Sequence, residues 1–293
     1  MANEIAKTPP IEDSLGYKVV KDNLLIQKAQ TDLTRNEQKL VNYLISMIKP
    51  DDADFKRYQI KALDFAALVG LDPTHIYRDF KKMADSIEKK SFWHKCADGT
   101  NRKMYWIMKP GYNDGKGFIE LRLDPDIKDY LIGLQKNFTE YELYNILALN
   151  TKYSITIYEF LKSYQNVGHV DVDVEVFKEH LGAQSSAYKN FTNLRAKVLN
   201  PTLDDINENT DLDVSYKCLD SKKKVIKSMQ GHKVYYLRFS IKLKEMTETF
   251  EVYTRMKDRI NAIKSDQVPH QISFDIDNET TALFDDTTNQ QIN

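Results

Sequence analysis

The sequence predicts a helix-rich α+β fold made of two tandem winged helix-turn-helix domains related by an internal repeat. Three observations predict it: a helix-turn-helix pattern that recurs at one offset, a helical stretch ahead of each copy, and a candidate β-hairpin after each. A chain of 293 residues is long enough for two domains that each bury a core.

The elements follow in order. Residues 1–18 read as a flexible arm, and 19–135 as the N-terminal winged-helix domain. Thr34 and Glu37 form a capping-box pattern at the start of a helix. Its apolar stripe is Leu40, Val41, Leu44, Ile45 and Ile48, and Pro50 marks its end. Phe65 to Gly70 is a short amphipathic helix closed by glycine, which adopts the left-handed C-terminal conformation at no steric cost. Asp72 then reads as an N-cap with Pro73 at the first helical position. The helix that follows carries Tyr77, Phe80, Met83 and Ile87. A hairpin is expected between Lys103–Ile107 and Phe118–Leu123, around Asn113, Asp114 and Gly115.

Residues 136–255 repeat this order as the C-terminal winged-helix domain. A helical stretch runs through Tyr158, Leu161 and Tyr164. Phe177 to Gly182 matches Phe65 to Gly70 at an offset of 112 residues, and Tyr188, Phe191, Leu194 and Val198 match the longer helix at 111. Leu212–Leu219 and Val234–Leu243 alternate apolar and polar residues, as hairpin strands with one buried face do. Residues 256–293 read as an acidic, polar, disordered tail.

The net charge of −1 averages two unlike regions. Residues 265–293 hold six acids and no Lys or Arg, which leaves 42 bases against 37 acids in residues 1–264. Placement matters more than the total. At 100° per residue, Tyr188, Phe191, Leu194 and Val198 face the core. Lys189, Asn190, Asn193 and Lys197 cluster opposite, with Ser186 just ahead of them. Asn can pair with adenine in the major groove, and Lys with guanine or phosphate. Arg195 points towards the core side. The corresponding face of the first copy carries Thr74, Arg78, Lys81, Lys82 and Asp85, with His75 beside it. The second hairpin is basic at its tip, with Lys222, Lys223, Lys224, Lys227 and Lys233, as suits a wing lying along phosphates.

Catalytic readings fare poorly. The six histidines form no metal-binding spacing, and no phosphate-binding G-x-x-x-x-G-K-[ST] sequence occurs. The chain is therefore read as a non-enzyme without metal or cofactor. Cys96 and Cys218 read as ordinary thiols of a reducing cytoplasm. No apolar run suits a membrane span, and Met1 to Pro10 has no apolar segment of the kind a secretory leader carries.

Four stretches between residue 19 and about 244 give the chain a specific resemblance. They are Leu24-Leu25-Ile26-Gln27 with Leu33 to Leu40; the Tyr77–Phe92 helix; Phe138 to Leu149 with Tyr153-Ser154-Ile155 and Tyr158-Glu159-Phe160-Leu161; and Tyr188 to Asn207 with Val198-Leu199-Asn200-Pro201. In this order they resemble the replication initiators of iteron-containing, theta-replicating bacterial plasmids. The resemblance implies binding of direct repeats at a plasmid origin, with the C-terminal domain as main reader through Lys189, Asn190, Asn193 and Lys197. It also implies a homodimer, formed through the N-terminal domain in equilibrium with monomer, that binds an inverted repeat and represses its own gene. Recruitment of host replication proteins, such as the replicative helicase or the host initiator, is implied too. Asn190 and Ala196 stand where the family is often basic, and Ser221–Lys224 replaces the usual glycine of the second wing. A dimeric repressor without an initiation role is the other reading. In the tail, Gln271-Ile272-Ser273-Phe274 resembles the short peptides that dock on bacterial sliding clamps.

Overall fold

A computed structural model describes residues 5–266, apart from residues 9, 10, 30, 31, 97, 114, 115, 229 and 230. The tail peptide Gln271–Phe274 lies outside the described residues.

In the first half of the chain the order is β1 (Ile5–Lys7), α1 (Ile11–Ser14), β2 (Lys18–Asp22), α2 (Asn23–Lys28), α3 (Arg35–Ser46), β3 (Arg57–Lys61), α4 (Ala62–Val69) and α5 (Ile76–Lys89). Four strands follow: β4 (Ser91–Lys95), β5 (Asn101–Tyr105), β6 (Gly111–Tyr112) and β7 (Phe118–Leu121), with a 3₁₀ turn at Pro125–Tyr130. The second half repeats the plan with β8 (Phe138–Glu142), α6 (Leu143–Ala148), α7 (Lys152–Lys162), β9 (His169–Asp173) and α8 (Val174–His180). A 3₁₀ turn at Ser186–Tyr188 leads into α9 (Phe191–Leu194), a π turn (Arg195–Leu199) and α10 (Asn200–Asn209). Then come β10 (Leu212–Leu219), β11 (Tyr236–Leu243) and α11 (Met246–Asp266).

The repeat is visible in the sheets. β3, β7 and β6 pair in that order, and β9, β11 and β10 pair in the matching order. Each set is the strand before the short helix plus a two-stranded wing. The second hairpin forms between the expected stretches, from Leu212↔Leu243 to Leu219↔Tyr236, with its second strand starting two residues after Val234. The first does not. β5 pairs back with β4, Trp93 opposite Lys103, while β7 pairs with β3 and with the two-residue β6. Among the described residues, an isolated Ile107↔Leu123 bridge is what survives from the expected pairing. The β4–β5 hairpin is thus an insertion in the first module, and the wing proper is β6–β7.

Local chemistry explains the helices. Thr34 Oγ1 accepts from Glu37 N while the Glu37 carboxylate accepts from Thr34 N at 2.6 Å, closing the capping box of α3. The helix itself ends at Ser46, ahead of Pro50. α4 ends on Gly70, whose φ of 72° is the left-handed value that glycine supplies. Asp72 caps only a turn, accepting from Thr74 N at 2.8 Å, and α5 begins later, at Ile76. Phe65 of α4 stacks on Phe80 of α5 at 5.0 Å; in the second module Phe177 of α8 packs on Phe239 of β11 at 5.5 Å.

The ends of the chain differ from the sequence reading. Within the arm, β1 adds to β3 in parallel, and Ile11 and Leu15 are buried. At the other end α11 continues past residue 255 to Asp266, burying Val252, Met256 and Ile260. Its apolar positions recur every four residues, a helical period that the polar composition around them conceals. No helix among the described residues is long and apolar enough to cross a membrane.

The two modules meet about a pseudo-dyad. β2 pairs antiparallel with its own counterpart β8, from Lys18↔Glu142 to Asp22↔Phe138, so Val20↔Glu140 marks the centre. Backbone bonds close both ends alike: Asn23 N donates to Asn137 O at 2.8 Å, and Leu143 N to Tyr17 O at 2.7 Å. Behind this ribbon Lys21 pairs with Glu159 at 2.7 Å, both nearly buried. The Tyr141 hydroxyl donates to the same carboxylate and lies 3.1 Å from Asn42 Oδ1. Burial, with Glu159 alongside, raises the Tyr141 phenol well above its ordinary range. Nearby, Lys39 of α3 donates to Leu147 O, at the end of α6, at 2.6 Å.

Glu159→Ala is expected to destabilise the fold by about 3–5 kcal/mol, because it strands a buried ammonium. Replacing Lys21 and Glu159 together by Met is expected to recover most of that loss; urea unfolding measures both. Lys39 supplies a pH signature. Burial, then the charges of Arg35 and Arg259, lower it from 10.5 to about 7. The unfolded chain keeps this proton up to 10.5, whereas the fold releases it near 7. The contribution to stability is therefore full above 10.5, falls as pH drops through this window, and is level below about 7. Lys39→Met is expected to remove that component, read as a flatter urea midpoint against pH than in the parent chain.

Candidate nucleic-acid interface

The second module presents its long helix as one rod with a change of pitch. α9, the π turn and α10 run without a break from Phe191 to Asn209. Pro201 has no N–H to give the carbonyl four residues back, and its ring crowds that carbonyl. The helix adapts one residue earlier: Asn200 N bonds Arg195 O, five residues back. Leu194, Val198 and Leu199 are buried, whereas Thr192, Asn193, Ala196, Lys197 and Asn200 are exposed.

This corrects the helical-wheel reading. The helix starts at Phe191, so Ser186 and Lys189 lie on the 3₁₀ turn before it, both exposed. Asn190 is the N-cap. Its Oδ1 accepts from Thr192 N at 2.8 Å, so that oxygen is engaged by the helix while the amide nitrogen keeps its donors. Asn193 and Lys197, four residues apart, keep the exposed face. Arg195 is half-buried beside β10, where its charge acts on Tyr216 and Cys218. Thr192 and Asn200 were missed by the sequence reading; an Asn-x-Thr start was the available signal for the first. Asn200 accepts from the Tyr216 hydroxyl at 2.8 Å, which ties the helix to the wing strand.

The wing turn is held by an acid. Asp220 Oδ1 accepts from Lys222 N at 2.8 Å and Lys224 N at 2.9 Å. Those backbone donors hold the Asp220 carboxyl below its ordinary range. Lys223 takes a φ of 59°, the conformation in which a glycine would be easiest. The side chains of Lys222, Lys223, Lys224, Lys227 and Lys233 are exposed; the Lys223 ammonium lies 5.1 Å over Tyr236, and that of Lys233 lies 4.8 Å over Tyr235.

The first module's face is more committed to itself. Thr74 and His75 are exposed on the turn before α5. Arg78 pairs with its neighbour Asp79 at 3.0 Å. Lys81 sits 4.7 Å over the Tyr112 ring, and the Tyr112 hydroxyl donates to Asp85. These contacts fasten α5 to β6. Lys82 remains exposed on this face. A further feature went unread in the sequence: Trp93, on the free face of the β4–β5 hairpin, is 64% exposed. Strand alternation could not reveal it, because β4 was not recognised as a strand.

Comparisons with known proteins bear on both modules. A family model described as initiator replication protein, winged helix 1, matches residues 18–162. A second, initiator Rep protein, winged helix 2, matches residues 173–241. The chain is 21% identical over 264 residues to a replication initiation protein of Escherichia coli, covering 83% of this chain and 75% of that protein. It is 22% identical over 188 residues to an uncharacterized 27.6 kDa protein of Escherichia coli, covering 62% of this chain and 79% of the other. The crystal structure of the Pi initiator protein in complex with iteron DNA superposes with a TM-score of 0.61 at 19% identity, covering 79% of this chain and 99% of that one. That likeness establishes a shared fold of two winged helices.

Asn190→Ala is expected to lower stability by about 1 kcal/mol, and Asn190→Ser to restore it. Urea unfolding of the two variants checks the capping role.

Proposed function

Because the chain belongs to the initiator Rep protein family, we propose that it binds direct repeats at a plasmid origin, helps open the duplex and recruits host replication proteins. The observation that carries this reading is the exposed polar face of α9 and the π turn, backed by a wing whose lysines all reach solvent. In this reading Asn193 reads a base edge, and Lys197 reads guanine or holds a phosphate. Ser186, Lys189 and the free amide of Asn190 approach the duplex from the turn before the helix. Lys222, Lys223, Lys224 and Lys227 hold phosphates. The first module adds Thr74, His75, Arg78, Lys81 and Lys82 against a neighbouring segment of DNA. The Pi initiator, whose fold is similar, is seen with iteron DNA, which supports the assignment.

A second state is favoured by Trp93. Trp93 stands 64% exposed on the β4–β5 hairpin, and both strands of this two-stranded sheet are edges open to pairing with another chain. A second copy of the chain covering this hairpin gives the homodimer that represses its own gene from an inverted repeat. Trp93→Ser is expected to shift sedimentation towards monomer while leaving repeat binding intact; an unchanged dimer fraction would remove the hairpin from the interface.

The decisive test supplies the protein in trans to a plasmid carrying only the origin. Replication is expected. Repression of its own promoter without replication would favour a repressor instead. Asn193→Ala is expected to cost about 1–3 kcal/mol on the repeat and little on random DNA. Replacing Lys222–Lys224 is expected to weaken binding to every sequence and to flatten the salt dependence, by about 0.9 log–log units for each phosphate no longer neutralised.

A further inference from the structure

Neither winged-helix match reaches α11, since the second ends at residue 241. The helix nevertheless touches both modules. It leaves β11 through Lys244, whose backbone N–H bonds Asp211 O at 2.9 Å and whose ammonium bonds Thr210 O at 2.8 Å, just past α10. Tyr253 then meets Tyr144 of α6 edge-on at 5.7 Å. Val252, Met256 and Ile260 bury the inner stripe.

Two arginines on neighbouring turns of α11 reach in opposite directions along the chain. Arg255 donates to Glu208 O, in the last turn of α10, at 3.0 Å. Arg259 donates to Leu68 O, in the last turn of α4, at 2.6 Å. Its guanidinium lies over Gly70, within 3.7–3.8 Å of where a Cβ would stand. Both cations cap helix C-termini, where carbonyl dipoles favour positive charge. The two capped helices are not equivalent. α10 is the far end of the second module's DNA-facing helix, and α4 packs beneath the DNA-facing helix α5 of the first. Residues four apart on a helix rise about 6 Å. α11 therefore grips one helix from each reading head at a fixed interval.

We infer that α11 sets the separation of the two DNA-facing helices, with Arg255 and Arg259 as positioning residues that determine which spacing of contacts within a repeat the protein accepts. The inference rests on the repeat-binding reading above. Two binding units joined rigidly gain from each other only when the spacing matches, whereas loosely joined units tolerate several spacings at lower peak affinity.

The test uses the full chain and a set of repeat duplexes in which one to five base pairs are inserted between the segments protected by the two modules. Five base pairs turn the second contact about half a turn round the duplex. The parent chain is expected to show one sharp optimum, with binding falling about tenfold or more at the five-pair insertion. Arg259→Met is expected to broaden the profile, so that the same insertion costs about threefold, while Arg259→Lys, which keeps a donor for Leu68 O, restores the optimum. A loss of stability alone would lower binding to all spacings equally and leave the profile sharp. That result, or an unchanged profile in a folded Arg259→Met chain, overturns the inference and leaves repeat binding standing. Should Arg259→Met fail to unfold cooperatively, Arg255→Met at a half-exposed position carries the same comparison, and a sharp profile there overturns it equally. A parent chain that binds no repeat overturns both readings.

Discussion

Strand β2 buries Val19 and Lys21 against Thr139 and Tyr141 of β8, and it can do so in only one register. A slip of β8 by one residue would turn Tyr141 to solvent and Glu140 inward. That constraint has a cost built into it, since the buried face includes a lysine. Glu159 answers the charge, and Tyr141 and Asn42 complete the polar cluster. Each half of the repeat supplies part of this cluster: Lys21 and Asn42 come from the first, Tyr141 and Glu159 from the second. The ribbon and the network behind it define the pseudo-dyad, about which α5 and the α9–α10 rod are disposed.

Much of this was legible in the sequence because the signals were local. The Thr34–Glu37 box, the glycine after each short helix and the alternation from Leu212 to Leu243 all act through neighbouring residues, and all three appear as expected. Pairing between distant segments was less legible. Lys103–Ile107 has the composition of a wing strand, but β5 lies beside β4, and the true partner of β7 is the two-residue β6, too short for any periodicity. Asn190 shows a different failure. Asn is favoured both at N-caps and against adenine, and a wheel drawn through a helix that starts too early cannot separate the two uses. Local composition also concealed the order at both ends, where Ile11, Leu15, Val252, Met256 and Ile260 join the common core.

The two modules share a scaffold and differ in how their polar side chains are spent. On α5, Arg78 is met by Asp79, Lys81 by Tyr112, and Asp85 by the Tyr112 hydroxyl. On α9 and the π turn, Asn193 and Lys197 make no such internal pairings among the described residues. A side chain already bonded within the protein must give up that bond to take a nucleic-acid partner, and its net gain is smaller. The same scaffold thus yields one face whose polar groups are uncommitted among the described residues and another whose polar groups largely engage one another.

The turn at the tip of the second wing separates shape from charge. Asp220 fixes its course through the backbone N–H groups of Lys222 and Lys224, not through hydrogen bonds to their side chains. Most side chains could stand at Lys222 or Lys224 without altering the loop. Mutation can therefore raise or lower the electrostatic grip of this wing in small steps while the geometry stays constant. In the proposed reading, affinity for the polyanion is then free to drift towards whatever a given replicon requires, while Asn193 on α9 and Lys197 on the π turn need not change with it.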